Sequence, residues 1–156
     1  MKHRLIRTGL AAALILGSLS SAYATQSDNE KIHAVLESYE HVLNAGDAAG
    51  VVRLYTEDGV FMAQHHPSAV GIDAVKAAYE AAFKAIDLNV EFDIVEIEVV
   101  ADDWAFARTN SAGTITINAT GDQVAEGNQE LFVLKKTNDG EWKIARYSFS
   151  TTNPPR

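Results

Sequence analysis

Three short rows of side chains hold the groups that could do chemistry in this sequence. If Trp104–Asn110 is extended, then Trp104, Phe106, Arg108 and Asn110 share one face. On the next extended stretch Asn128, Glu130, Phe132 and Leu134 share a face, and further on Ala145, Tyr147 and Phe149 do. An Arg, an Asn and a Glu interleaved with aromatics suit the lining of a pocket for a small polar or anionic molecule. The guanidinium would hold an anionic group, and the carboxyl would move or share a proton. Alternation says which residues share a face, not which face is inside. The opposite choice turns these rows to solvent and builds the core from Leu131, Val133, Trp142 and Ile144. A loop, Gln64-His65-His66-Pro67-Ser68, offers imidazoles as a proton-transfer base or as exposed loop side chains.

Sharper signatures are missing. The sequence has no G-x-S-x-G, no H-E-x-x-H, no phosphate loop and no dinucleotide fingerprint. It has no Cys, which excludes a disulfide framework, a thiolate nucleophile and an iron–sulfur site. Two adjacent loop His residues diverge more often than they converge, so neither a metal nor a cofactor is expected. Net charge is −8, with Lys+Arg 13 against Asp+Glu 21, which argues against a phosphate-backbone partner.

The elements that must position these rows follow from periodicity. Ser27 and Glu30 form a capping box, and Ile32, Val35, Leu36, Tyr39, Val42 and Leu43 then recur at helical spacing until Gly46. Asp47 caps a short second helix through Leu54 and Tyr55, Glu57-Asp58-Gly59 reads as a turn, and Val60-Phe61-Met62 as a short strand. A third helix runs from about Ile72 to Ile86. From Asn89 the period drops to two, giving four long strands joined at Ala101-Asp102-Asp103, Ala119–Asp122 and Asn138-Asp139-Gly140. Three helices followed by a meander make an α+β domain, with the helices on one face of a curved antiparallel sheet. Strands this long must curl, and the concave side is where a pocket belongs.

The N-terminus reads separately. Lys2, Arg4 and Arg7 precede an apolar run from Leu10 to Leu16, and Ala22-Tyr23-Ala24 closes it, the pattern of a secretory signal peptide over residues 1–24. The run is shorter than a bilayer requires. Residues 25–156 are then the mature domain, periplasmic or secreted, with no membrane contact after cleavage.

The stretch "YEHVLNAGDAAGVVRL" from Tyr39 to Leu54, followed by "YTEDGVF", by Gly71 with its helix and by the late meander, resembles the SnoaL-like, ketosteroid-isomerase branch of the NTF2-like superfamily. The resemblance spans about Glu30 to Thr151 and implies a cone of curved sheet closed by three helices. It also implies roles. In steroid isomerases a Tyr of the first helix and a neutral acid of the third long strand donate to the developing enolate oxygen, and Tyr39 and Glu130 fall at those places; the neutral-acid device is a known pattern of that enzyme. The general base of that family is an Asp, and Ala63 stands there; His65, just beyond, is the substitute within reach. Arg108 and Asn110 replace apolar residues, and a guanidinium beside Glu130 would ionise the carboxyl. Steroid isomerisation is therefore not expected.

Three functions remain open. One is a lyase, isomerase or hydrolase with Tyr39, Glu130 and His65 as catalytic groups and Arg108, Asn110, Phe132, Tyr147 and Phe149 as the substrate-binding wall. The second is a ligand-binding protein of the cell envelope, favoured by Ala63. The third is a module that pairs into a homodimer through the outer sheet face.

Overall fold

The computed structural model describes residues 16–153, so the first fifteen residues of the leader reading lie outside the described residues. Helix α1 spans Leu16–Asn44. It runs on through Ser27 and Glu30, so that pair does not start it. Ile32, Leu36, Tyr39 and Leu43 form its buried stripe. Gly46, at φ 64°, ends it: the Gly46 and Asp47 amides bond back to the Leu43 and Val42 carbonyls at 3.1 and 3.0 Å. Asp47 then caps α2 (Ala48–Arg53), its carboxylate accepting from the Gly50 amide at 2.8 Å. No described helix is long and apolar enough to cross a membrane.

Strand β1 (Tyr55–Met62) absorbs the expected turn at Glu57–Gly59 as an irregularity, with its register shifting between Tyr55 and Val60. After the 63–68 loop come β2 (Ala69–Val70) and α3 (Ile72–Ala85), which buries Val75 and Tyr79. The long strands are β3 (Ile86–Ala101), β4 (Trp104–Ile117), β5 (Gln123–Lys136) and β6 (Trp142–Thr151). They form one six-stranded sheet in the order β2-β1-β6-β5-β4-β3. The meander is antiparallel as expected, but β1 joins β6 in parallel, which makes the sheet mixed. Helix α3 lies between the two halves in sequence, returning the chain from β2 at one edge to β3 at the other.

Two details shape the cavity. Gly113 lets β4 cross closely over β3, since a Cβ there would overlap the Asn89 carbonyl oxygen. Asn44 fixes the same place from α1, its amide bonding both the Val90 carbonyl and amide at 2.7 and 2.9 Å. In β6 the register slips so that Leu134 faces Ile144 while Val133 faces Arg146, leaving Ala145 as an extra residue. Ile144 and Ala145 are both buried in consequence. The bulge switches faces along β6, so Trp142 and Ile144 are core as well as Tyr147, not part of an outer face with Leu131 and Val133.

Candidate functional site

The inside of the curl is set by β4 and β5 in register. Small residues of β4 oppose large ones of β5: Ala105 faces Leu134, Ala107 faces Phe132, Thr109 faces Glu130 and Ser111 faces Asn128. The inner face of β4 is therefore Ala105, Ala107, Thr109 and Ser111, all buried. Trp104, Phe106, Arg108 and Asn110 point the other way. That corrects the sequence-level reading of this strand. The concave side, crowded by α1 and by Phe132, has room only for small side chains, and bulk goes outside. Arg108 is exposed and pairs with Glu96 of β3 rather than with Glu130. Asn110 is exposed beside it. Neither lines the cavity.

The β5 and β6 rows point inward as expected. Glu130 is buried, and Thr109 and Ser111 donate their hydroxyls to its two carboxylate oxygens, Ser111 at 2.6 Å. Burial raises the Glu130 carboxyl above its ordinary value, the Ser111 and Thr109 bonds partly offset this, and the Glu126 charge adds to the rise. Asn128 donates from one amide nitrogen to Ser111 at 3.4 Å and to Glu126 at 3.0 Å. A cavity of about 110 Å³ opens against these groups, walled by Tyr39, Phe61, Tyr79, Tyr147 and Phe149. Phe132 is fully buried behind Tyr147, their rings stacked at 4.3 Å, and supports the wall without lining it.

Tyr39 meets the cavity as a member of a tyrosine chain that the sequence reading missed. Its hydroxyl lies 2.6 Å from that of Tyr79, which lies 3.1 Å from that of Tyr55. Burial is the main reason that Tyr39, Tyr55, Tyr79 and Tyr147 are all held well above the ordinary 10, so each stays a neutral donor. The chain has a direction. Tyr79 is the hydrogen-bond partner of the Tyr55 hydroxyl among the described residues, so Tyr55 donates to Tyr79 and Tyr79 to Tyr39. The reverse order would bury the Tyr55 proton without an acceptor. Tyr39 is left with a proton to donate, and the Tyr147 hydroxyl beside it in the cavity wall is within its reach.

The loop histidines divide. His65, at φ 64°, is exposed and its imidazole bonds the Gln64 amide at 2.7 Å, away from the cavity. His66 and Ala63 instead line a vestibule of about 530 Å³, whose wall shares Phe61, Ala82, Ile86 and Phe149 with the inner cavity. Among the described residues no three His, Asp or Glu side chains converge as metal ligands.

A SnoaL-like domain model matches residues 35–147. The chain belongs to this family. Its fold also matches a ketosteroid isomerase-like protein from Erwinia carotovora atroseptica SCRI1043, at 36% identity and a TM-score of 0.77, covering 79% of this chain and 95% of that one. An NTF2-like protein with a cystatin-like fold from Novosphingobium aromaticivorans matches at 19% identity and a TM-score of 0.69, covering 92% and 94%. A conserved protein from Planctomyces limnophilus matches at 20% identity and 0.71, covering 81% and 98%. No curated protein matches the chain. The SnoaL-like cone, three helices on a curved sheet, is what places Tyr39 of α1 and Glu130 of β5 on one cavity.

Proposed function

We propose that this SnoaL-like protein is a small-molecule enzyme of the isomerase or dehydratase type, with Tyr39 binding the substrate oxygen and Glu130 carrying the proton. The observation that supports it is the cavity itself. One carboxyl with a raised pKa, oriented by Thr109 and Ser111, shares that space with a neutral tyrosine hydroxyl. With Arg108 on the outer face, no cationic side chain among the described residues lines the cavity to force Glu130 to ionise early.

The chemistry follows from these two groups. Glu130, as carboxylate, takes a proton from the carbon beside a carbonyl. The C–H electrons become a C=C bond, and the charge that gathers on oxygen is met by the Tyr39 hydroxyl. Glu130 then returns its proton to a different carbon, or to a leaving β-hydroxyl that departs as water. A carboxyl lifted toward neutrality suits both directions of transfer. The loop position where the family resemblance implies an Asp base carries Ala63 at the vestibule, so Glu130 takes the base role in this reading.

The test is exchange of α-protons from D2O into small cyclic ketones bearing a β,γ-double bond or a β-hydroxyl, followed by NMR. Exchange or conversion above the buffer rate is expected, with Glu130→Gln lowering it by about 100-fold and Tyr39→Phe by about 10-fold or more. Ketones that bind and come back undeuterated would favour the second reading, a carrier that uses the same cavity, for which Ala63 speaks. Export through a leader cleaved after Ala24 belongs to this proposal, supported by the basic, apolar and small-residue order of residues 1–24. So does pairing of two copies through the outer sheet face, where Leu131 is 44% exposed.

A further inference from the structure

One side of the cavity is rich in hydrogen-bond acceptors. Glu126 and Glu130 both line it, and among the described residues no Lys, Arg or His does. Asn128 lies between them, 8% exposed. Its amide nitrogen is spent on Glu126 and Ser111, and its side-chain oxygen is buried with no hydrogen-bond partner. Turning the amide over does not cure this. The nitrogen would then become the orphan, and the oxygen would face the Glu126 carboxylate. A buried orphan acceptor carries a desolvation penalty that a ligand donor would remove. Thr109 and Ser111 occupy one acceptor direction on each Glu130 oxygen, and a carboxylate oxygen has more than one.

Beside these acceptors stand apolar rings, Phe149 directly across from Glu130 on the neighbouring strand. Phe61 stacks on Tyr147 at 5.6 Å and on Phe149 at 6.1 Å, giving one continuous wall that runs out to the vestibule. The site thus combines two acids without a counter-charge, one unmet carbonyl oxygen, and an aromatic flank. An anion would meet repulsion there, and an alcohol would supply a single donor. A protonated amine supplies up to three donors and the missing positive charge, with its carbon skeleton against the rings.

We infer that the ligand of this cavity carries a protonated amine, seated between Glu126 and the Asn128 side-chain oxygen. This rests on the small-molecule reading above and narrows its substrate class to amine-bearing organic molecules. The negative charge of the whole chain steers the same way, since an acidic surface concentrates cations near its clefts.

Three probes of one shape separate the possibilities: benzylamine, benzyl alcohol and benzoate, titrated into the full chain at pH 7 and followed by calorimetry. Benzylamine is expected to bind about 10-fold tighter than benzyl alcohol or more, with benzoate weakest. Glu126→Gln, outside the proton-transfer pair, is expected to narrow the preference to about 3-fold or less, chiefly by weakening benzylamine. Equal binding of amine and alcohol, stronger binding of benzoate, no binding of benzylamine at about 10 mM, or a preference untouched by Glu126→Gln would each overturn the inference. Tyr39→Phe in the same titration keeps the two proposals apart. If it weakens benzyl alcohol while no amine preference exists, the oxygen-binding role of Tyr39 stands and the amine inference alone falls.

Discussion

The hydroxyls of Tyr39 and Tyr79 lie 2.6 Å apart in the buried interior, and Tyr55 reaches Tyr79 from the other side at 3.1 Å. One residue from α1, one from α3 and one from β1 thereby share two hydrogen bonds. The chain ties α1, α3 and β1 together through buried hydroxyls. Stability and chemistry are joined at Tyr79, the middle member.

Tyr79→Phe therefore costs more than a single hydrogen bond. It strands the buried Tyr55 hydroxyl and removes the donor to Tyr39, so a loss of about 1–3 kcal/mol is expected in urea denaturation. Tyr55→Phe removes only the terminal donor and costs about 1 kcal/mol. The double variant should lose less than the sum, because the Tyr55→Phe change leaves no hydroxyl to be stranded. Additive losses in a double-mutant cycle would show that the three do not act as a chain.

Glu130 sets a pH signature. Its folded carboxyl lies above the ordinary 4.5, chiefly through burial, so the native state holds that proton more tightly than the unfolded chain. Its contribution is fully present below 4.5 and is lost as pH rises through the raised folded value. Glu130→Gln does not titrate. Its thermal midpoint, taken as variant minus wild type, should rise as pH increases from about 4 through the raised folded value. A flat difference across that range would mean that the folded carboxyl is not raised.

Asp28 shows the opposite sign. Burial pushes it up, but hydrogen bonds from Lys136 at 2.6 Å and from the Trp142 indole at 3.1 Å outweigh that and hold it below the ordinary 3.8. The stabilisation is present above 3.8 and lost as pH falls through the lowered value. Asp28→Asn should cost about 1–3 kcal/mol at pH 7 and much less at about pH 2, measured by urea denaturation at both. This contact pins α1 to the β5–β6 hairpin, so an equal cost at both pH values would mean that the charge is not what holds it.

The fold was legible because period, caps and turns agreed: Gly46, Asp47, Gly71 and the hairpin residues all stand where their chemistry demands. The parallel pairing of β1 was not, because β1 is interrupted at Glu57–Gly59 and its partner lies far along the chain. At the site, β5 read correctly since Asn128, Glu130, Phe132 and Leu134 keep one face throughout. On β4 the aromatic residues Trp104 and Phe106 misled, as size there reports the open outer side and not the core. On β6 the bulge at Ala145 puts both alternations in the core in turn, which no strict period-two reading can express. Tyr79 carried a usable signal: it sits four residues after Val75 on the buried stripe of α3, where a hydroxyl needs a partner.

That assignment of faces on β4 is itself testable by two neighbours. Arg108 is 55% exposed and its pairing with Glu96 is a surface contact, so Arg108→Ala should change stability by about 0.5 kcal/mol or less and leave cavity binding alone. Ser111, three residues on and facing inward, is different. Ser111→Ala removes a donor from the ionised form of Glu130 and so moves its carboxyl further up. The pH profile of α-proton exchange should then shift to higher pH in Ser111→Ala and stay in place in Arg108→Ala. Were Arg108 the residue beside Glu130, Arg108→Ala would produce the upward shift instead, and a profile moved by that variant would reverse the two faces of the strand.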